Sequence, residues 1–259
     1  MSNEIIPFKE NYKFLDKCRL WESVLLIFVC VFSIAIPVID ALFSQLTVLL
    51  FIIGFLNILL IILYYILNVA TDIFIYPSTA VLRRKGFIDN SLGSKLLEKE
   101  LIGYFSNDNI PVGSYKLAVN CFENAFFTFN IAKAMTLYIV IKNAIFSIFF
   151  IGCAYIGFTN NVVALPILQI FISSLFLTQL IHHLNFTSKL KSLNEKFRFL
   201  FESKLGKNDL SYPIFFILDY ETVLAYNKSP LSNKVFNRLN PKLTIEWEGI
   251  KKRYDINCE

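Results

Sequence analysis

Polar residues recur at helical spacing inside segments that are otherwise apolar. Ser33 and Asp40 are seven residues apart, and Gln169 and Ser173 are four apart, so each pair shares one helical face. Polar groups in hydrocarbon are costly, and they usually face protein or water. These residues therefore predict either the lining of an ion path or hydrogen bonds that hold a helix bundle together. The candidate pore-lining residues are Ser33, Asp40, Asn57, Gln169 and Ser173.

Asp40 is the only acidic residue outside the segments predicted to be cytoplasmic, and it lies near the external mouth of the first span. In a symmetric oligomer, one such carboxylate per subunit forms an acidic ring, which favours cations. The alternative is that Asp40 caps the turn between two helices. Both interpretations stay open from the sequence.

A basic cluster, Arg83, Arg84 and Lys85, follows the second apolar segment. Arginine pairs bidentately with phosphate groups, and this chemistry serves two kinds of ligand. Basic residues close to a membrane commonly anchor it to lipid headgroups. The same residues can also hold a soluble phosphate compound.

The sequence offers no arrangement of residues suited to catalysis. The two histidines, His182 and His183, are adjacent and point about 100° apart on a helix, so they are poor joint metal ligands. The sequence contains no glycine-rich phosphate loop, nucleophile elbow or metalloprotease motif. We therefore predict no enzymatic activity, no metal site and no cofactor.

Composition places the chain in a membrane. Hydrophobic residues make up 55% of its 259 residues and charged residues only 17%, against about 25% charge in soluble domains. No charged residue occurs in 41–71 or in 143–188. A membrane-spanning helix needs about 20 apolar residues. Each window, slightly extended, therefore holds two spans, and the predicted spans are 23–43, 46–67, 135–158 and 162–181.

The basic residues predict the orientation of these spans. Of the 25 Lys and Arg residues, all except Lys142 lie outside the four spans, and none lies in the two short turns. Positive residues near span ends stay cytoplasmic. Both termini and the middle segment are thus predicted to be cytoplasmic. The predicted organisation is an N-terminal amphipathic segment 1–22, hairpin 23–67, insert 68–134, hairpin 135–181 and tail 182–259.

The predicted fold class is an all-α membrane protein whose cytoplasmic parts form a small α(+β) domain. Helical periodicity or turn signals predict cytoplasmic helices at Glu10–Arg19, Leu92–Tyr104 and Ser114–Lys133, and a helix that ends near Gly206. Branched and aromatic residues predict a strand over Pro213–Leu218. Pro241 is expected to separate a helix at Leu231–Leu239 from one at Thr244–Tyr254.

The layout and several short motifs resemble the four-transmembrane effectors of bacterial antiphage defence systems, of the CBASS-like and Hailong types. The motifs are the run from Arg83 to Ser91, the run from Phe122 to Thr128, Asp219-Tyr220-Glu221 and Leu239-Asn240-Pro241. The resemblance implies an inner-membrane homo-oligomer that forms a gated channel or pore. It also implies a partner nucleotidyltransferase, whose nucleotide or oligonucleotide product controls the gate.

The basic cluster is compatible with such a ligand, because nearby side chains can contact a base or orient the arginines. The candidate ligand-binding residues are Arg83, Arg84, Lys85, Asn90, Glu123 and Asn124. Two other functions stay open. One is a membrane scaffold that recruits a cytoplasmic partner, and the other is a small transporter.

Overall fold

Helices account for every regular element in the part of the chain that the structure describes. The structure, a computed structural model, describes residues 5–43, 45–158, 175–203, 210–227 and 231–256. The helices are α1 (Lys9–Leu42), α2 (Thr47–Ala70), a π-helix (Thr71–Ile75), α3 (Tyr76–Leu92), α4 (Ser114–Phe158), α5 (Leu175–Glu202), α6 (Ser211–Asn227) and α7 (Asn233–Arg253).

Three helical stretches among the described residues are long and apolar enough to cross a membrane. They are Lys9–Asp40, Thr47–Leu92 and Ser114–Ile145. These stretches include most of the first two predicted spans, 23–43 and 46–67, and the first part of the third, 135–158. They have the length and composition expected of a membrane protein. The fourth predicted span, 162–181, lies largely outside the described residues, and Gln169 and Ser173 lie outside them too.

The long helices extend well beyond a bilayer. The 45 residues of α4 give a helix of about 68 Å, whereas the hydrocarbon core is about 30 Å thick. The helix predicted over 114–133 is confirmed, and it continues without a break into the third span. The helix predicted over Glu10–Arg19 is likewise confirmed as part of α1, which runs through 34 residues from Lys9 to Leu42. Each of these helices thus joins a polar part to a membrane-spanning part.

The chain divides into two compact units, which we name the body and the hairpin unit. The body comprises Met1–Tyr12, Pro77–Tyr138 and Ile181–Glu259, and the hairpin unit comprises Lys13–Tyr76 and Ile139–Leu180. The second division point, between Tyr76 and Pro77, comes one residue after the π-helix ends. Single π-helical turns inside longer helices often mark functional positions.

Aromatic rings fill the core of the body. Phe122 on α4 stacks on Phe197 and Phe201 of α5, with ring centroids 5.7 and 5.4 Å apart. Its edge meets Trp247 of α7 at 5.1 Å. Phe122 and Trp247 are fully buried. Stacked and edge-to-face aromatic pairs contribute about 0.5–1.5 kcal/mol beyond simple burial, so α4, α5 and α7 are firmly joined here.

The predicted strand at Pro213–Leu218 is wrong, because these residues begin helix α6. Four buried residues of this helix, Phe216, Ile217, Tyr220 and Val223, recur at helical spacing and pack into the body core. β-Branched and aromatic residues favour strands only weakly, and tertiary packing overrides that preference. The described residues contain one isolated β-bridge, between Ile5 and Ile102.

The predicted helix at Leu92–Tyr104 is also wrong, since α3 ends at Leu92 and the next helix begins at Ser114. Gly93 has a φ of 70°, a left-handed conformation that glycine adopts readily, and its N–H donates to the Asp89 carbonyl. The Asp89 carboxylate then accepts the backbone N–H groups of Leu96 and Leu97, both at 2.8 Å. These contacts turn the chain away from a helical course.

Pro241 does not separate two helices, because α7 runs from Asn233 to Arg253 with Pro241 inside it. A proline removes one backbone hydrogen bond. The buried face of α7 continues on both sides of this point, with Val235 packed on the core before it and Leu243 and Trp247 buried after it. Burial of that face holds the helix together across the proline.

We predict that Gly86→Ala destabilises the protein by about 1–3 kcal/mol, since it overpacks a tight contact. A Cβ at Gly86 would lie 3.0 Å from Phe8, 3.1 Å from Leu97 and 3.3 Å from Leu101, so three side chains would have to move together. Thermal unfolding of the detergent-solubilised protein measures the effect.

Gly249→Ala is the matched control for Gly86→Ala. Both glycines lie inside helices, but no atom lies within 4 Å of the Cβ position at Gly249. Alanine there should be neutral or raise stability by up to about 1 kcal/mol. Equal melting temperatures for the two variants would contradict the packing argument.

Candidate functional site

The basic cluster of α3 surrounds a single carboxylate on α6, and this arrangement is the candidate functional site. Arg83 donates from Nη2 to both oxygens of Glu221, at 2.8 and 2.6 Å. Arg84 Nε lies 3.1 Å from Glu221 Oε2. Two guanidinium groups thus face one carboxylate, which leaves one positive charge in excess.

The two arginines differ in their access to solvent. Arg83 is buried, while the side chain of Arg84 is 42% exposed. Lys85, the next residue, is half-buried. An anion that approaches from solvent would therefore meet Arg84 first, and it would reach Arg83 only by displacing Glu221.

Phenol side chains contribute to the surroundings of the Arg83–Glu221 pair. Burial raises the pKa of Tyr104 to about 12, so this hydroxyl stays neutral at physiological pH. Burial also raises the pKa of Tyr220, whose hydroxyl shares a 3.1 Å hydrogen bond with Thr128. A neutral, low-dielectric surrounding strengthens the attraction between Arg83 and Glu221.

A second polar cluster joins α3, α4 and the 93–113 connection. Asn120 donates to Asn90 Oδ1 at 2.8 Å and to Ser91 Oγ at 2.9 Å. Asn107 donates to Asn120 Oδ1 at 2.9 Å and to Glu123 at 2.6 Å. Each amide thus bridges two elements, and the network fixes the start of α4 against the end of α3.

Glu123 is the charged member of this network. Its carboxylate accepts the Ser106 hydroxyl at 3.0 Å, and Lys251 of α7 donates to the Ser106 carbonyl at 2.9 Å. Burial raises the pKa of Glu123 from 4.5 to about 7, although the hydrogen bonds from Ser106 and Asn107 and the Lys251 charge partly offset this. Glu123 lies twelve residues before the predicted third span, 135–158.

Four of the six predicted ligand-binding residues therefore fall into two groups in the body. Arg83 and Arg84 contact Glu221, while Asn90 and Glu123 belong to the amide network. Asn124, next to Glu123, is half-buried. The structure thus places most of these side chains on internal partners, and Arg84 is the exposed one with an excess of charge nearby.

In the hairpin unit, two predicted pore-lining residues contact each other. Asn57 of α2 donates to Ser33 Oγ of α1 at 2.9 Å. Asn57 is buried, and its Oδ1 has no hydrogen-bond partner among the described residues. Asp40 is exposed near the end of α1. The Ser33–Asn57 bond joins the two helices of the first hairpin.

The base of this hairpin carries an ion cluster that sequence reasoning missed. Arg19 of α1 pairs with Asp72 of the π-helix and, at 3.0 Å, with Glu22. Asn68 donates to Glu22 at 3.5 Å. The spacing of Arg19 and Glu22, three residues on one helix, was the available signal. The contact with Asp72 joins residues 53 positions apart, and no local pattern predicts it.

Glu221 was also not assigned from the sequence. It lies in the Asp219-Tyr220-Glu221 motif, but it is 138 residues from Arg83. The one feature of the sequence that could have indicated Glu221 was electrostatic. Two adjacent arginines on a helix that packs into a folded body require a nearby negative charge. Among the described residues, no group of three or more His, Cys, Asp or Glu side chains can hold a metal ion.

Comparison with known proteins adds no family assignment. No protein-family model matches the chain, and no curated protein and no solved structure matches it. The functional argument therefore depends on the geometry described above.

We predict that Glu123→Gln removes a pH dependence from the stability of the protein. Because the folded-state pKa of Glu123 is raised, the folded protein binds more protons than the unfolded chain between pH 4.5 and about 7. Its contribution to the free energy of unfolding therefore falls as pH rises through this window, by about 3 kcal/mol in total, and is constant above it. Melting curves of the wild type and the variant from pH 4.5 to 8 measure the difference.

Glu195→Gln serves as the control, since Glu195 is an exposed partner of Lys191 on α5. Its melting profile should parallel that of the wild type. A Glu123→Gln profile that also parallels the wild type would show that Glu123 is ionised throughout this range.

Proposed function

We propose that this protein is an oligomeric membrane effector that forms a gated ion channel or pore in the bacterial inner membrane, in antiphage defence. The body receives the signal, and the helices of the hairpin unit enclose the ion path. The signal is a nucleotide or oligonucleotide made by a partner nucleotidyltransferase. The helices are long and apolar enough to span a membrane. The proposal adds the ion path, the ligand and the role in defence.

The observation that carries the proposal is the buried ion pair of Arg83 and Glu221. Arg83 lies on α3, which continues α2 of the hairpin through the π-helix, and Glu221 lies on α6 of the body. A buried ion pair contributes little net stability compared with apolar packing, so its best-attested use is to specify one of two arrangements. We assign this pair the role of a latch, by which we mean a contact that holds α6 against α3 until a ligand breaks it.

The same geometry explains how an anionic ligand operates the latch. A phosphate group provides the charge and the acceptor oxygens that Glu221 now provides to the two guanidinium groups. Arg84 and Lys85 offer the first contact because they reach solvent. Displacement of Glu221 then releases α6 from α3, while the arginines stay paired with the ligand.

We predict that Glu221→Gln raises the basal ion flux of the reconstituted protein by at least several-fold without any ligand. The variant removes the counter-charge of Arg83 but keeps the size and shape of the side chain. Release of an ion-sensitive dye from liposomes of anionic and zwitterionic lipid measures the flux. Circular dichroism establishes that the variant is folded.

The control is again Glu195→Gln, which removes a carboxylate from an exposed ion pair. It should leave the flux at the wild-type value. A folded Glu221→Gln variant with unchanged flux would refute the latch. Absence of flux in every variant, and in wild type given nucleotides, would refute the channel.

A membrane scaffold is the second candidate, and one observation favours it. The Ser33–Asn57 hydrogen bond joins two polar side chains within one hairpin, as expected of residues that only hold a bundle together. The scaffold and the channel differ in the role of Asp40. In a channel the exposed Asp40 carboxylates act on permeating ions, whereas a scaffold has no ion path.

We predict that Asp40→Asn lowers the ratio of cation to anion permeability several-fold, because the acidic ring loses its charge. Reversal potentials across planar bilayers under a salt gradient measure this ratio. Asp40→Glu keeps the charge and should keep the selectivity. An unchanged reversal potential in Asp40→Asn would remove Asp40 from the ion path and favour the scaffold.

A further inference from the structure

Helix α7 begins beside the point where α4 becomes apolar on its outer surface. The backbone N–H of Ser232, the N-cap residue of α7, donates to the sulfur of Met135 on α4 at 3.2 Å. Two residues later α4 exposes large apolar side chains, with Leu137 69% and Tyr138 70% exposed. Met135 is also the first residue of the predicted third span. The first turn of α7 is therefore level with the start of the membrane-spanning part of α4.

From this point α7 runs along α4 in the opposite direction, away from the apolar part of α4. Fifteen residues after Ser232, Trp247 meets the edge of Phe122 with 5.1 Å between ring centroids. Phe122 precedes Met135 by thirteen residues, or about 20 Å of helix, and fifteen residues of α7 rise about 22 Å. The two helices are thus nearly antiparallel between these contacts, and only the first turns of α7 lie close to the membrane.

Three basic side chains are exposed near this end of α7. Lys234 and Arg238 are exposed on α7, and Lys133 is exposed on α4 two residues before Met135. Along its helix Lys234 is about 3 Å from Ser232, and Arg238 is about 9 Å from it. The headgroup layer is about 7 Å deep, and long basic side chains extend towards it. All three charges are therefore within reach of lipid headgroups.

These charges lack a counter-charge within the part of the chain that the structure describes. Neither Lys234 nor Arg238 forms an ion pair or a side-chain hydrogen bond with another described residue. The contact of Lys133 is with the ring of Phe129, at 5.9 Å from the ammonium to the centroid. On α7 no acidic residue precedes Glu246. The start of α7 thus presents positive charge that an external anion can neutralise.

We infer that Lys133, Lys234 and Arg238 bind the headgroups of anionic phospholipids, so that the start of α7 attaches to the surface of the membrane that α4 crosses. An anionic lipid surface attracts basic residues placed within a few ångströms of it. The guanidinium group of Arg238 can pair with a lipid phosphate through two hydrogen bonds. The inference depends on the membrane-spanning character of α4 and does not require the proposed channel.

Nucleic acids carry the same phosphate chemistry, but the surroundings of these residues favour lipid. Phe236 lies between Lys234 and Arg238 in the chain, and it is 37% exposed. Basic residues interleaved with an exposed apolar residue are typical of helices at a membrane surface. The contact with Met135 also holds this turn beside the apolar part of α4, where lipid is the nearest source of phosphate.

The first test measures lipid binding by the full-length protein in mild detergent. Native mass spectrometry compares the retention of added phosphatidylglycerol, which is anionic, with that of zwitterionic phosphatidylcholine. The wild type should prefer phosphatidylglycerol. The double variant Lys234→Gln with Arg238→Gln should lose about tenfold of this preference, because each basic residue near an anionic surface adds to the attraction.

The matched control is the double variant Lys252→Gln with Arg253→Gln, which removes the same charge from exposed positions at the other end of α7. Lys252 is eighteen residues from Lys234, or about 27 Å along the helix. This variant should keep the lipid preference of the wild type. All four positions are exposed, so the fold should stay intact, and circular dichroism checks this for each variant.

The second test locates the lipid contact in liposomes that contain phosphatidylglycerol. The photo-crosslinking residue benzoylphenylalanine replaces Phe236 in one variant and Ile245 in another. Ile245 is 74% exposed, but it is thirteen residues from Ser232, or about 20 Å along α7. Illumination should attach lipid at position 236 and not at position 245.

A wild-type lipid preference in the Lys234 and Arg238 double variant would overturn the inference. An equal loss in the Lys252 and Arg253 control would also overturn it, since the effect would then come from net charge alone. Lipid crosslinking at neither position, or at both, would contradict the placement of α7. Loss of binding to a single-stranded oligonucleotide, with lipid binding unchanged, would assign the surface to nucleic acid instead.

Discussion

The burial of Arg83 is the constraint on which the arrangement of the body depends. An arginine removed from water carries a desolvation cost of several kcal/mol unless a carboxylate meets it in good geometry. Glu221 meets it through both oxygens, so α6 is required to lie against α3. The aromatic packing of Phe216 and Phe197 then follows from the same docking, at 5.8 Å between centroids.

The amide network provides a different kind of constraint. Asn90, Asn107 and Asn120 bond to one another in a chain that ends on Glu123. Such a network tolerates little displacement, because a buried amide that loses its partner costs about 1–3 kcal/mol. The body thus combines a tightly hydrogen-bonded amide network with one buried ion pair. The proposed function uses both, since an anion that displaces Glu221 would break one contact while the amide network holds the rest of the body folded.

Local sequence patterns predicted much of the helical architecture. The charge-free stretch 41–71 located the apolar helix α2, and the turn signals located the start of α4 at Ser114. Propensity failed where packing decided the outcome, as at Pro213–Leu218, which is helical because its helix face fits the core. It failed again at Pro241, where burial on both sides of the proline keeps one helix intact.

The sequence predicted the two arginines of the candidate site but not their carboxylate partner, Glu221. The sequence by itself determined the membrane-spanning character of the chain and singled out Arg83 and Arg84, because long apolar runs and adjacent guanidinium groups are local properties. Only the tertiary structure decided that Arg83 is buried on Glu221 while Arg84 stays accessible. A contact between residues 138 positions apart leaves no periodic trace in the chain, since it depends on how the helices pack.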